Sequence, residues 1–454
     1  MKSIMLYFHL CFFVCALTSA QTHYSITGHF PQSVGKDVFV KGYDLDGLKI
    51  LSKSNIGSDG MVKIVYPSSY SGAAILEVVD GSSVIIMLNK ENFEIQWDRY
   101  EDFSRLKFLN SPENDFLSKG LDLYSSVESK KSGLNYLMTL YSSGSSVDLF
   151  LKEEFKSQEK LLDVFFETLP SNLYVSYYLK LRKLISDMPL AATRYTNRIV
   201  KNQLEFNSLD FGDLRLVSSG LSRDLFEGYA VFMESYAGAD MDKLKVNLNL
   251  CIDSVLKTLK DKPEIAQVMC QQFFNILEKR SLFFSAEYLA LSVLDNQSCM
   301  LDVKHQSLFE QYRKMAIGRI ASDIVFSEPV NGYYKLSDLK SRYKLVVFGA
   351  SWCDKCKLEV PKLQPFYEKW KRDDDLEIVF VSLDTDKDSF HLFSKDFLWI
   401  STCDYKSWEG ESVLDYCVFA TPTMYLLDRN QNIIAKPVSA EHAEAVISSL
   451  RGSK

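Results

Sequence analysis

Three features are scarce in this 454-residue sequence, and each absence excludes a class of protein. Charge of one sign is weak, since the formal net charge is −7, and this argues against nucleic acid and anionic membrane surfaces as partners. Beyond residue 20 no run of about 18 uncharged apolar residues occurs, so no membrane anchor is expected there. Cysteine is also sparse: nine residues are too few for a disulfide-stapled scaffold of this size.

Residues 1–20 have the layout of a secretory signal. Lys2 precedes an apolar stretch from Ile4 to Leu17, and small residues follow before Gln21. The alternative is an uncleaved anchor, which the shortness of the apolar stretch disfavours. We therefore expect export to the periplasm, within the cell envelope. Seven cysteines then follow the signal, an odd number, so at least one is free or pairs between chains.

The rest of the chain divides into three segments by its sequence pattern. Residues 21–110 contain short β-branched and aromatic runs separated by Asp-Gly turns, which predict a small antiparallel β domain, a sandwich or a barrel, taken here as sandwich-like. Residues 111–317 are poor in glycine and proline and have apolar residues at three- and four-residue spacing, which predicts an α-helical domain. Pro170, Pro189 and Pro263 are expected at breaks or starts of these helices. Cys251, Cys270 and Cys299 are expected as buried residues of the same helices.

Residues 321–454 predict an α/β domain. Apolar runs at 345–350 and 376–383 read as buried strands, each followed by a helical segment, at 353–370 and 386–397. Residues 423–437 predict a hairpin, and residues 440–450 a closing helix. Strands that alternate with helices imply a central sheet covered on both faces.

Cys353 and Cys356 are the strongest chemical signal in the sequence. They follow the first buried strand and open a helical stretch, where unpaired N–H groups and the helix dipole favour a thiolate on the first sulfur. A C-x-x-C pair at such a junction indicates redox chemistry. The alternatives are an inert disulfide or half of a zinc site, but Cys403 and Cys417 form no second close pair for zinc.

The stretch FGASWCDKCKLEVP at 348–361 resembles the active-site segment of the thioredoxin superfamily, and within it the exported TlpA/ResA-type thiol–disulfide oxidoreductases. The resemblance continues through residues 379–384 and 416–428 and covers less than a third of the chain. The N-terminal segment, with residues 26–28, 59–60 and 110–114, more loosely resembles the β-domain that precedes such modules in Bacteroidetes proteins.

This resemblance implies a thioredoxin-like fold for the C-terminal domain and a role for several residues. Cys353 would be the nucleophile, and Cys356 would resolve the mixed disulfide. Thr421 and Pro422 would bind substrate through the backbone beside a cis peptide bond, and Trp352 would shape the docking surface.

Alternative roles remain open for other residues near the site. Glu359 is predicted to be a catalytic residue that relays a proton to or from a thiol. The alternative is a solvated charge on the helix surface. Asp354 disfavours and Lys355 favours a thiolate, where related proteins have other residues. Cys417 is either a third redox-active thiol or a buried bystander. No cofactor and no metal ion are expected.

The sequence therefore predicts an exported thiol–disulfide oxidoreductase that reduces protein disulfides and receives electrons from a membrane-linked donor. An isomerase or oxidase would use the same chemistry at a different potential. Another alternative is a cell-envelope interaction protein whose thioredoxin-like domain is a docking platform. A copper carrier would need a histidine, and His391 and His442 do not lie at ligand spacing from the cysteines.

Overall fold

The computed structural model describes residues 22–79, 82–98, 105–193, 196–296, 301–373 and 375–452. The expected secretory signal at residues 1–20 and the helical placement of Cys299 lie outside these ranges. The chain divides into two compact units between Ile276 and Leu277, and each unit is described by itself.

The first unit begins with two four-stranded sheets that share one apolar core. Strand β4 illustrates the pattern, because Val62, Ile64 and Tyr66 are buried while the residues between them are exposed. The pairing is antiparallel, as expected, except that β1 and β7 are parallel. The sheet orders are β4-β1-β7-β8 and β3-β2-β5-β6. The strands are β1 (His23–His29), β2 (Asp37–Asp44), β3 (Gly47–Asn55), β4 (Met61–Pro67), β5 (Ser71–Val78), β6 (Ser83–Asn89), β7 (Phe93–Trp97) and β8 (Leu106–Leu109).

A helical region follows, as the sequence predicts. Cys251 and Cys270 are fully buried in two of its helices. The prediction for Pro189 is wrong, because helix α3 continues through it for four more residues and buries both Met188 and Ala191. The helices are α1 (Pro112–Met138), α2 (Ser146–Thr168), α3 (Tyr174–Thr193), α4 (Ile199–Asn207), α5 (Leu214–Ser219), α6 (Ser222–Ala237), α7 (Met241–Leu259) and α8 (Pro263–Lys279).

The start of α1 is fixed by two buried polar side chains. The side-chain amide of Asn114 accepts the N–H of Met87 at 2.7 Å and donates to the carbonyl of Met87 at 3.0 Å. The first turn of α1 is thereby bonded to strand β6. Glu113 accepts the N–H groups of Tyr174 and Val175 at 2.9 and 2.7 Å. These N–H groups open α3 and have no partner within their own helix.

The second unit contains two further helices and then the expected α/β domain. Its five-stranded sheet has the order β13-β12-β11-β14-β15, with β11, β12 and β13 parallel and the hairpin β14–β15 antiparallel. The elements are α9 (Phe283–Asn296), α10 (Val303–Lys314), β9 (Val325–Val330), β10 (Tyr333–Lys335), β11 (Tyr343–Gly349), α11 (Asp354–Glu359), α12 (Gln364–Asp373), β12 (Leu376–Ser382), α13 (Lys387–Ser394), β13 (Ile400–Cys403), α14 (Glu411–Asp415), β14 (Thr423–Asp428), β15 (Ile433–Ala435) and α15 (Ala440–Gly452).

The helix expected over residues 353–370 is divided in two. Residues Asp354–Glu359 form α11, a 3-10 turn covers Pro361–Leu363, and α12 begins at Gln364. Pro361 has no N–H to continue the helical bonding, so the regular α-helix is interrupted there. The short α11 leaves Cys353 and Cys356 on one turn of helix at the carboxyl end of β11.

Candidate active site

The cysteine pair is positioned by a buried strand and a helix start. Residues 345–348 of β11 are fully buried, and the chain then turns so that Cys353 becomes the N-cap of α11. The Sγ atom of Cys353 accepts the backbone N–H of Cys356 at 3.1 Å. Cys353 and Cys356 form a disulfide with their Cα atoms 5.2 Å apart. In the reduced form, this N–H and the helix N-terminus would favour a thiolate on Cys353.

The two sulfurs differ in their access to solvent. Cys353 is 9% exposed and Cys356 is fully buried, so a partner can reach only the first sulfur directly. Gly349 makes room for the second sulfur, because a Cβ atom there would lie 3.4 Å from Cys356 Sγ and 2.8 Å from the ring of Phe380. Close approach of a helix to a strand end is a common reason for glycine at such a position.

A cis peptide bond joins Thr421 and Pro422, as expected from the sequence. It lies immediately before β14, which pairs with β11 through Thr423 and Phe348. The carbonyl oxygen of Thr421 is 3.4 Å from Cys353 Sγ. Thr421 and Pro422 lie more than 70 positions after β11 in the sequence, yet the sheet register brings their backbone against the nucleophilic sulfur.

Trp352 is half-exposed beside the cysteine pair, and a second tryptophan accompanies it. The rings of Trp352 and Trp408 have centroids 6.2 Å apart at 53°. Their exposed fractions are 50% and 40%, so both present apolar surface next to Cys353. Sequence reasoning missed Trp408, because it lies on a turn after β13 and nothing in its local sequence points to Cys353.

The carboxylate of Glu359 is engaged by groups other than the thiols. Its oxygens accept the N–H of Ala440 at 3.1 Å and the ammonium of Lys362 at 2.8 Å. Lys362 also pairs with Glu441 at 3.1 Å, and hydrogen bonds to Glu359 and Glu441 raise the pKa of Lys362. Glu359 therefore caps the start of α15, and its proton-relay role stays a prediction. On the outer surface, Asp354 pairs with Lys357 at 3.2 Å.

A second residue that sequence reasoning missed is Asp384, a buried carboxylate just after β12. It accepts the N–H and the hydroxyl of Ser351 at 3.1 and 2.7 Å, and the hydroxyl of Ser382 at 2.6 Å. Ser351 is two residues before Cys353, so Asp384 fixes the loop that leads to the nucleophile. The signal was available: β11 and β12 are parallel, and the carboxyl ends of parallel strands share one edge of the sheet.

Cys403 and Cys417, the other cysteines of the α/β domain, have different surroundings. Cys403 is buried at the end of β13, where its thiol donates to the carbonyl of Asp384 at 3.2 Å, and burial raises its pKa. Cys417 has a left-handed backbone with φ 52°, and its sulfur lies 3.5 Å from the carbonyl of Gln311. Burial raises the pKa of Cys417 to about 11. Both are therefore protonated thiols at neutral pH.

The comparisons with known proteins fall on this same domain. A family model described as thioredoxin-like matches residues 341–433. The thiol-disulfide oxidoreductase ResA of Bacillus cereus is 28% identical over 131 residues, which are 29% of this chain and 74% of that protein. ResA of Geobacillus kaustophilus is 26% identical over 151 residues, which are 32% of this chain and 85% of that protein.

A solved thiol-disulfide oxidoreductase from Bacteroides fragilis aligns with 29% of this chain and 99% of its own, at 24% identity and a TM-score of 0.27. The C-terminal domain of this protein is thioredoxin-like. The family match and the ResA relatives, with the cysteine pair, support an oxidoreductase that uses thiol–disulfide chemistry.

No helix among the described residues is both long and apolar enough for a membrane span. Within the same ranges, no three or more His, Cys, Asp or Glu side chains are grouped to hold a metal ion.

Proposed function

We propose that this protein reduces disulfide bonds of exported proteins through a dithiol–disulfide cycle of Cys353 and Cys356. The observation that carries the proposal is the position of Cys353 Sγ. It accepts the helix N–H of Cys356 and lies 3.4 Å from the Thr421 carbonyl that precedes the cis-proline. The first contact stabilises a thiolate, and the second puts backbone bonding groups beside it for an extended substrate.

The reaction begins from the dithiol form. The Cys353 thiolate attacks one sulfur of a substrate disulfide, forms a mixed disulfide, and releases the other substrate sulfur, which takes up a proton. The Cys356 sulfur loses its proton and attacks Cys353 Sγ, which releases the second substrate thiol and forms the Cys353–Cys356 disulfide. Two electrons and two protons pass to the substrate. A dithiol donor at the membrane returns the pair to the reduced form by the reverse exchange.

Export is part of the proposal and is supported by the signal-like pattern of residues 1–20. An oxidising compartment would leave the pair as a disulfide unless electrons were supplied, so the proposal includes a membrane-linked dithiol donor. Trp352, Thr421 and Pro422 would contact the substrate. Glu359 would accept or donate the proton of Cys356 while it also bonds Lys362 and Ala440, since a carboxylate has about four acceptor positions.

The test is reduction of insulin disulfides by the full chain with dithiothreitol as electron donor. We expect Cys353→Ser to lower the rate at least about a thousandfold, because it removes the nucleophile. Cys417→Ser is the matched control and should keep the wild-type rate. Activity retained by Cys353→Ser would disprove the proposal.

The direction of electron flow needs a second readout on the same proteins. The reduction potential of the pair can be measured in graded thiol buffers through tryptophan fluorescence. A value near or below about −250 mV supports a reductase, whereas a value of about −120 to −180 mV indicates an oxidase or isomerase. In that case the dithiol–disulfide cycle stands and the reductase assignment is wrong.

A further inference from the structure

Helix α10 contacts the loop that leads to the cis-proline, residues 416–422. The ring of Tyr312 stacks on that of Phe419, with centroids 5.8 Å apart at 18°. The carbonyl of Gln311 lies 3.5 Å from Cys417 Sγ, and Lys314 pairs with Asp415 at 3.1 Å. The last turn of α10 therefore contacts both this loop and Asp415, the last residue of α14.

Tyr312 is itself held in place. Its ring is only 6% exposed, and its hydroxyl donates to Glu278 Oε1 at 2.9 Å. Burial raises the pKa of Tyr312, so the phenol remains a neutral donor. A second contact joins these helices to the α/β domain, because Glu287 of α9 forms an ion pair with Lys436, which follows β15. Tyr312 thus presents a fixed aromatic face to Phe419.

Phe419 has one face on Tyr312 and is nevertheless 45% exposed. It precedes Pro422 by three residues, a distance of at most about 11 Å along an extended chain. The intervening Thr421 carbonyl is already 3.4 Å from Cys353 Sγ. The open face of Phe419 is therefore close enough to Cys353 for a polypeptide whose disulfide reaches that sulfur to contact it.

Resting on the proposed function, we propose that Tyr312 is a positioning residue that holds Phe419 as an apolar contact for polypeptide substrates. Helix α10 lies outside residues 341–433, which match the thioredoxin-like family model. The helices before the α/β domain would thereby take part in substrate selection. The favoured substrates are unfolded or extended polypeptides with an apolar side chain near the disulfide cysteine, since a small disulfide such as cystamine carries no apolar side chain to pack on Phe419.

The test compares two disulfides on the full chain. Insulin serves as the polypeptide substrate in steady-state assays, and cystamine serves as the small disulfide in stopped-flow measurements with pre-reduced protein. We expect Tyr312→Ala and Phe419→Ala each to raise KM for insulin about threefold to tenfold, the worth of an aromatic pair. The ratio of insulin to cystamine reactivity should fall by the same factor. Tyr312→Phe keeps the stacked ring but loses the bond to Glu278, so its KM should lie closer to that of the wild type than to that of Tyr312→Ala.

Tyr334→Ala is the matched control, since Tyr334 is an exposed tyrosine of strand β10. Unchanged KM in a folded Tyr312→Ala protein overturns the inference, as does an equal loss on insulin and cystamine. If Tyr312→Ala does not fold, Phe419→Ala decides, because its side chain is half-exposed. A wild-type protein that reduces neither disulfide rejects the proposed function itself, whereas an active wild type with unchanged variants rejects only the role of Tyr312.

Discussion

Cys353 and Cys417 lie in two loops of the same domain and have opposite surroundings. The sulfur of Cys353 accepts a backbone N–H at the start of a helix and also lies beside the Thr421 carbonyl, whereas the sulfur of Cys417 lies beside the carbonyl oxygens of Gln311 and Asp415. An N–H stabilises a negative sulfur, and a carbonyl stabilises only the protonated thiol. The comparison teaches that a helix N–H favours the thiolate at Cys353 whereas burial raises the pKa of Cys417, so closeness to the cis-proline does not by itself make a cysteine reactive.

Chemical modification gives the largest difference between the two sulfurs. With a pKa of about 11, roughly one Cys417 in a thousand is ionised at pH 8, and its reactivity should rise about tenfold per pH unit up to that pKa. In the reduced protein we expect iodoacetamide to modify Cys353 at least about a hundredfold faster than Cys417 at pH 8. Peptide mass spectrometry measures both rates in one sample.

The oxidised protein is the control for that measurement, because Cys353 is then held in the disulfide and should not react. Equal rates at the two sulfurs of the reduced protein would contradict the electrostatic comparison.

Substitution of Asp384 should weaken the loop that leads to Cys353, which is one of the two cysteines compared. Asp384→Ala leaves the N–H and hydroxyl of Ser351 without their acceptor, and a buried donor without a partner costs about 1–3 kcal/mol. We expect a loss of that size in the free energy of unfolding of the C-terminal unit. Urea titration followed by tryptophan fluorescence is suitable, because Trp352, Trp370, Trp399 and Trp408 all lie in this unit.

Asp384→Asn keeps one acceptor oxygen and is the matched variant, with a smaller expected loss. If both variants are as stable as the wild type, Asp384 does not support the loop before Cys353.

The parts of the site that sequence could predict are those set by short-range spacing. Cys353 and Cys356 are one helical turn apart, so their pairing follows from the chain itself. The cis bond before Pro422 and the thioredoxin-like fold were expected from the resemblance of residues 348–361 and 416–428. The alternating strands and helices of this domain were also expected from apolar periodicity.

The parts that sequence could not predict depend on long-range register. Trp408 meets Trp352 because a turn after the edge strand folds back over the site. The bond between Asp384 and Ser351 could be foreseen only from the parallel pairing of two buried strands, and not from the sequence around either residue. Tyr312 reaches Phe419 across more than a hundred positions of sequence. At Pro189 a local rule gave a wrong prediction. The burial of helix α3 outweighs the local tendency of proline to end a helix.

The smallest expected effect concerns the backbone of Cys417. Its φ of 52° is left-handed, a conformation that glycine adopts without strain and alanine does not. Cys417→Gly and Cys417→Ala both remove the sulfur, so their difference isolates the backbone. We expect the glycine variant to be about 1 kcal/mol more stable than the alanine variant by urea unfolding.

The same pair of variants tests whether Cys417 takes part in exchange. Insulin reduction at the wild-type rate in both would leave the chemistry with Cys353 and Cys356, whereas a common loss of activity would make Cys417 a third redox thiol. A loss in the alanine variant alone would have a different meaning. It would show that the left-handed turn at Cys417, and not its sulfur, keeps the Thr421 carbonyl beside Cys353.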